Sequence, residues 1–299
     1  MGLTANLNPP PTFLEQQTQP TQHILPEPKP YCNMSERTKL LYLEHGALYE
    51  YTSRVLSVKK VSSLGLDDQA LIKNPSDDDH ALVTDTTIFH VQGGGQPSDV
   101  GVISSDTITF EVTSVRHAAA GGQVLHFGRF SLGPGPFKEG KAIIQNINIE
   151  KRELYSRLHT AGHILGLAIN ALSREGILPP LTESKASHYP GSSGVEFGGL
   201  IDGKFKDAIQ AKTDEFVAGN GEVRIHWWPM EKLLRDCTGV IEGFALPEGE
   251  VEGRVVEIEG LGAYPCGGTH VGSCGKVGQI QVRKIARSKG VSRVSYDVS

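Results

Sequence analysis

The chain has 299 residues, 38% of them hydrophobic, enough to bury a real core in one or two domains. Its formal net charge of −5 excludes a protein that grips nucleic acid by bulk charge, so any RNA contact must come from a local patch. Cys32, Cys237, Cys266 and Cys274 are too scattered to form a disulfide framework, no apolar run approaches the ~20 residues of a membrane span, and no secretory signal is recognisable. The expectation is a cytoplasmic protein with reduced thiols and neither a membrane nor DNA as partner.

Residues 1–35 hold seven of the seventeen prolines, with glutamine and threonine filling much of the rest. Such a segment cannot bury enough apolar surface to offset its ordering entropy, and it is expected to be a disordered arm. It contains no arginine, which argues against a mitochondrial presequence.

From 36 to 140 the pattern is short strands broken by turns, with runs at 49–58, 81–90, 107–115 and 123–127 bounded by Gly, Asp, Ser or Pro. This spacing predicts a small antiparallel β-barrel. The stretch 62–80, with Asp77, Asp78 and Asp79, reads as a solvated surface loop. Gly133-Pro134-Gly135-Pro136 reads as a linker.

The style then changes. Leu154, Leu158, Ala161, Leu165, Ala168 and Leu172 recur at helical spacing over 150–173, with Asn148 as N-cap and Gly176 as stop. A second helix is predicted over 203–218, with Phe205, Ile209 and Phe216 inward. Strand-like runs follow at 222–228, 253–258, 278–285 and 291–298. The expected class is therefore α+β, a small barrel domain at 36–140 followed by an α+β domain at 145–299.

His159 and His163 are four apart on the long predicted helix, so one turn puts both imidazoles on the same face, where they can chelate one ion. Residue 160 is threonine, so the H-E-x-x-H protease pattern and its general-base glutamate are absent. Cys266 and His270 flank Gly267-Gly268-Thr269, a tight loop that can bring a thiolate and an imidazole to one centre. Three nitrogens and one sulfur are a sound zinc set. Cys274 reads more simply as a small buried or surface thiol.

Together, "RLHTAGHIL" at 157–165 and "PCGGTHV" at 265–271 resemble the editing module of alanyl-tRNA synthetases and of the free-standing alanyl-tRNA editing proteins (AlaX). "TIFHVQGGGQPSDVG" at 87–101, "VLH" at 124–126, "RVVEIEG" at 254–260 and "SKGVSRVSYDV" at 288–298 extend the resemblance over roughly 40–299. His90-Val91 stands where that family usually has Tyr-Pro, and the N-terminal arm and the loop at 62–80 are additions.

The resemblance implies a trans-acting factor that binds Zn2+ and the acceptor end of a mischarged aminoacyl-tRNA and hydrolyses the ester, with seryl-tRNA(Ala) as the expected substrate and glycyl-tRNA(Ala) as a further one. It places Thr87 where a serine hydroxyl is recognised, Gln96 where an amide positions water or the carbonyl, and Gly93, Gly94 and Gly95 against the ligand. Arg287 and Lys289 belong to a basic run that can grip phosphates, and Arg152 and Arg157 are further candidates. Trp227 or Trp228 could stack a terminal base, core packing of at least one being the plainer reading.

Four protein ligands would close a tetrahedral site, whereas catalytic zinc keeps a position open. Either one ligand yields, His270 before Cys266, or zinc orders the pocket without touching the reacting atoms. Deacylation of seryl-tRNA(Thr) and a non-catalytic zinc-containing tRNA-binding module remain the alternatives.

Overall fold

A computed structural model describes residues 37–240, 243–246 and 249–299; the arm expected at 1–35 lies outside the described residues. The chain runs through β1 (Lys39–Leu40), β2 (Glu50–Lys60), α1 (Leu66–Gln69), β3 (His80–Thr84), β4 (Thr86–Thr87), β5 (Gly101–Ser105), β6 (Ile108–His117), β7 (Val124–Leu132) and β8 (Ala142–Ile147). The long helix α2 (Ile149–Arg174) follows, then β9 (Thr182–Ser187), β10 (Gly194–Gly198), α3 (Lys206–Ala218), β11 (Val223–Pro229), α4 (Met230–Asp236), β12 (Glu252–Ile258), β13 (Gly262–Pro265), β14 (Ile280–Ser288) and β15 (Val291–Val298). The molecule is α+β, as the sequence predicts, and no helix among the described residues is long and apolar enough to cross a membrane.

The first half closes into an antiparallel barrel in the order β2-β3-β7-β6-β5-β8, with β8 returning to β2. Side chains alternate across each strand, so Ile143, Gln145 and Ile147 of β8 point inward while Ala142 and Ile144 face out. Leu82, Ile103, Phe110, Val112, Val115 and Val124 fill the interior. A bulge between Val112 and Ser114 shifts the period of β6 and keeps Val115 inside.

Two expectations fail here. The Gly133–Pro136 segment is not a linker out of the barrel, because β8 lies beyond it and closes the sheet; the barrel therefore runs to Ile147 and not to 140. The loop at 62–80 is also not wholly solvated. It contains α1, and Asp79 is buried, its carboxylate accepting from Arg129 Nε at 2.6 Å and from Ser76 N at 2.7 Å.

Helix α2 starts where Asn148 Oδ1 accepts from Lys151 N at 2.9 Å and ends at Gly176, whose φ of 74° lets the N–H groups of Ile177 and Leu178 turn back to Leu172 O. Its middle is buried almost all round. Sheet β14-β15-β10-β9 and helix α3 enclose it, with Leu158, Ile164, Leu165 and Ile169 against Val195, Phe197, Ile209, Val282 and Val294. A helix so enclosed carries its side chains at fixed positions, which suits it to hold a site. A smaller sheet, β11-β12-β13, packs on α4 through Leu233, Val255 and Ala263 and delivers the loop after β13 to the same helix.

Candidate metal centre

His159 and His163 come from one face of α2, and Cys266 and His270 from the loop that follows β13. Their ligand-capable atoms all lie within 4.8 Å of one another, a grouping that could hold a metal ion. Cys266 Sγ is 3.4 Å from His159 Nε2 and 3.3 Å from His270 Nε2.

Hydrogen bonds fix which nitrogens face this point. The Gln96 amide orientation is set by the backbone N–H of Thr269, which can only donate, at 3.0 Å to Oε1. Gln96 Oε1 also lies 2.7 Å from His159 Nδ1, so that nitrogen must carry the proton. The lone pair of His159 is then on Nε2, toward the sulfur. Similarly, Thr160 Oγ1 donates to Ser156 O at 2.9 Å, so it accepts from His270 Nδ1 at 3.1 Å and from Val271 N at 3.2 Å. His270 is thereby left with its lone pair on Nε2 as well. This is the outer-shell arrangement that orients metal-binding histidines.

The donor set fits an ion. Burial holds His159 and His270 well below the ordinary histidine value and pushes His163 down to about 3, so all three are neutral and able to donate a lone pair. His163 Nδ1 is buried with no hydrogen-bond partner. Burial pushes the Cys266 thiol up, opposed by the Gly268 N–H at 3.3 Å and by the Arg254 guanidinium.

Glycines make the close packing possible. A Cβ on Gly268 would overlap the His159 ring, and one on Gly162, between the two helical histidines, would overlap the ring of His188. His188 stacks on His159 with centroids 4.1 Å apart. Tyr296 Oη donates to Leu158 O at 2.8 Å and so accepts from His188 Nδ1 at 2.7 Å. Sequence reasoning passed over His188; the helix-interior Gly162 was the available sign that something large packs there.

A cavity of ≈ 180 Å3 opens beside the ligand set, lined by His159, His163, Cys266, His188, Glu183 and Tyr264, with Gly94, Lys185 and others completing it. Gly94 and Gly95 have φ of 55° and 78°, and a Cβ on Gly95 would strike the Ala186 carbonyl. Gly95 O accepts from His188 N at 2.8 Å, so the glycine loop clamps the end of β9 against the cavity. Gly93 bridges to Gln96 through paired backbone bonds.

Other sequence-predicted residues lie differently. Gln96 is buried, its Oε1 accepting from His159 Nδ1 and Thr269 N and its Nε2 donating one hydrogen to Thr269 Oγ1 at 2.8 Å; these bonds make it a positioning residue for His159 and for the loop of Thr269. Thr87 is buried in the barrel, its hydroxyl 2.7 Å from His126 Nε2 and accepting from Phe89 N at 3.1 Å, and it is not among the residues lining the cavity. Arg152 is no RNA contact: it is 1% exposed, paired with Asp99 and donating to Gly46 O and Ile88 O at 2.6 Å each. Arg157 is spent on the carbonyls of Val277 and Ser299. Arg287, 3.7 Å from Asp202, and Lys289 lie at the β14–β15 turn, outside the cavity lining. Trp227 is 42% exposed, whereas Trp228 carries the Lys232 ammonium 3.2 Å from its ring centroid. Cys274 is a core residue.

Comparison with known proteins matches residues 16–151 to the family described as tRNA synthetases class II (A), and residues 254–295 to the threonyl and alanyl tRNA synthetase second additional domain. The chain is 30% identical over 312 aligned residues to an alanine–tRNA ligase of Korarchaeum cryptofilum, covering 98% of this chain and 30% of that protein. It is 30% identical to that of Methanobrevibacter smithii (74% and 24%) and 28% identical to that of Pyrococcus abyssi (87% and 26%). The chain thus spans less than a third of the length of these curated relatives.

Proposed function

We infer a function for this chain from its membership of the alanyl-tRNA synthetase-like family and from the site just described. It is an aminoacyl-tRNA deacylase that removes serine from mischarged tRNA(Ala). The observation that carries this reading is the small cavity bordered on one side by His159, His163 and Cys266 and open to solvent on another. At ≈ 180 Å3 it is comparable with a cavity of ~150 Å3 that admits a benzene-sized guest, a size suited to a small aminoacyl group.

His159, His163, Cys266 and His270 would hold a zinc ion, which would supply Lewis-acid polarisation of an ester carbonyl or activation of a water if one of the four yielded its place, and would otherwise order the pocket. The remaining work falls to the chain's own residues. Gln96 and Thr160 keep the imidazoles of His159 and His270 in one tautomer and one orientation. His188 and Tyr264 wall the cavity on the sides of α2 and β13. Lys185, exposed on β9 at the cavity, offers a cation for the phosphate of the tRNA end. Arg287 and Lys289 on the β14–β15 hairpin are suited to the acceptor stem further out.

A second client, seryl-tRNA(Thr), has support in the match of residues 254–295 to a domain shared by threonyl and alanyl synthetases. Deacylation of Ser-tRNA(Ala), Ser-tRNA(Thr) and Ala-tRNA(Ala) by zinc-loaded protein decides among these. Rapid loss of serine from the first with alanine spared is expected. Preference for the second keeps the chemistry and changes the client. Stability of all three esters would leave a tRNA-binding module and remove the hydrolytic reading.

A further inference from the structure

Glu183 is the only carboxylate among the described residues that line the cavity, and it is not one of the metal-ligand candidates. It sits on β9, partly buried, and lines the cavity together with Tyr264, Pro265, Cys266 and Gly267. Its two oxygens differ. Oε2 accepts from Tyr264 Oη at 2.8 Å and from Asn170 Nδ2 at 3.3 Å. Oε1 receives no hydrogen bond from the described residues, and no lysine or arginine among them reaches Glu183 within ion-pair distance. One oxygen is therefore anchored and the other is free.

The anchoring is built in three dimensions. Asn170 projects from α2, and Tyr264 from β13 lies with its ring 4.5 Å from that of His163. Gly166 makes room for both groups, since a Cβ there would come within 2.6 Å of Tyr264 Oη and 2.9 Å of Glu183 Oε2. Two neutral donors hold the carboxylate at a fixed place beside the ligand set, yet they supply no counter-charge. Burial raises the Glu183 carboxyl above its ordinary value, more than the Tyr264 and Asn170 bonds lower it. A carboxylate withdrawn from water in this way is stabilised by any cation that enters with a ligand.

An aminoacyl ester carries such a cation on the atom next to its carbonyl carbon, the α-ammonium. Among the lining side chains Glu183 alone offers a carboxylate to meet it, and Lys185 repels it. We propose that Glu183 is the receptor for the α-ammonium of the aminoacyl group, its free Oε1 accepting a charge-assisted hydrogen bond while Tyr264 and Asn170 hold Oε2. The inference rests on the deacylase reading for its ligand class and deepens it. The site then reads the substrate at two places, the amine at Glu183 and the ester beside the histidines. A peptidyl-tRNA or formylaminoacyl-tRNA, whose nitrogen is acylated and uncharged, is rejected at the first.

The test uses two non-hydrolysable probes, 3′-deoxy-3′-(L-serylamino)adenosine and its N-acetyl derivative, titrated into the metal-loaded full chain. The unmodified protein is expected to bind the free amine at least ~30-fold more tightly than the acetylated probe, the worth of a hydrogen bond to a charged group. Glu183→Gln keeps an acceptor for Tyr264 and Asn170, so metal content serves as the check that the site is intact; in this variant the preference is expected to shrink to about threefold or less. Equal binding of both probes by the unmodified protein, no binding of the free amine, or an undiminished preference in Glu183→Gln each overturns the proposal. Deacylation of Ser-tRNA(Ala) and N-acetyl-Ser-tRNA(Ala) is measured alongside. An equal fall in kcat on both esters in Glu183→Gln would assign the residue to proton transfer and also overturn it. Absence of all hydrolysis with a Glu183-dependent binding preference removes the deacylase reading and leaves the receptor; hydrolysis with a preference independent of Glu183 does the reverse.

Discussion

Nδ1 of His159 donates to Oε1 of Gln96 across 2.7 Å, joining two residues 63 positions apart in the chain. The bond passes from the barrel half of the molecule to the helix that carries two of the four ligand candidates. Through it a residue that touches no ion decides which nitrogen of His159 is available.

Replacing Gln96 with Ala removes that decision and also strands the backbone N–H of Thr269. Metal affinity is expected to fall ~10–100-fold, as for other outer-shell losses, while the fold survives. Competition against a chromophoric chelator measures it; an unchanged dissociation constant would dissociate Gln96 from the site.

A zinc ion held by His159, His163, Cys266 and His270, as proposed, would stabilise the folded state by mass action. Chelation is therefore expected to lower the thermal midpoint of the wild type, and Cys266→Ala to abolish this chelator dependence. Metal content measured on the same samples should fall in the variant; full retention of zinc by Cys266→Ala removes that residue from the ligand set.

Gly162→Ala is expected to destabilise by ~1–3 kcal/mol, because the added methyl meets the buried His188 ring, which is held by Tyr296 and cannot retreat freely. Urea unfolding of the metal-free protein measures this directly. A gain in stability, the usual result of Gly to Ala inside a helix, would show that His188 has room to move.

Arg152→Met leaves Asp99 buried without its counter-charge and is expected to lose about 3–5 kcal/mol. The double variant with Asp99→Asn, which still accepts from His90 N, should recover part of the loss. Equal losses in the single and double variants would argue that shape, and not charge, is what Arg152 supplies.

Burial pushes His90 and His126 of the barrel down to about 4. Unfolded, both bind protons near the ordinary value of about 6.5, so the unfolded state takes up more protons between these limits. Their contribution is fully present above pH ~6.5 and drains as pH falls toward 4, by up to on the order of 3 kcal/mol per group. The urea midpoint of metal-free protein should fall over that interval, and His126→Asn should flatten the slope; a midpoint independent of pH would contradict the burial of these rings as neutral bases.

Much of the architecture was legible because local rules and tertiary packing agree. The 3.6-residue period and the Asn148 cap marked α2 nearly to its ends. The barrel's closing strand was hidden by its polar centre: Gln145 faces inward, satisfying Ile88 N, Ser53 and the Thr86 carbonyl, and so breaks the apolar pattern of β8. Strand β9 was invisible because Thr182–Ser187 is an edge strand with largely exposed side chains. At the site, the His-x3-His and Cys-x3-His spacings are local and could be read directly. Glu183 and His188 carry no spacing of their own, since only the fold brings them to the cavity. Gln96 and Arg152 were noticed for their chemistry, but their burial and the partners they bond could not be read from residue type.

All four ligand candidates come from 159–270, whereas Gln96, which bonds His159, and the glycine loop, which bonds His188, come from the barrel half. A fragment beginning at Asn148 would keep every donor atom and lose the clamp. His270 would keep its tautomer through Thr160, while His159 would lose the partner that fixes its own. The barrel thus sets, from outside the segment that carries all four donors, which nitrogen of His159 faces the others.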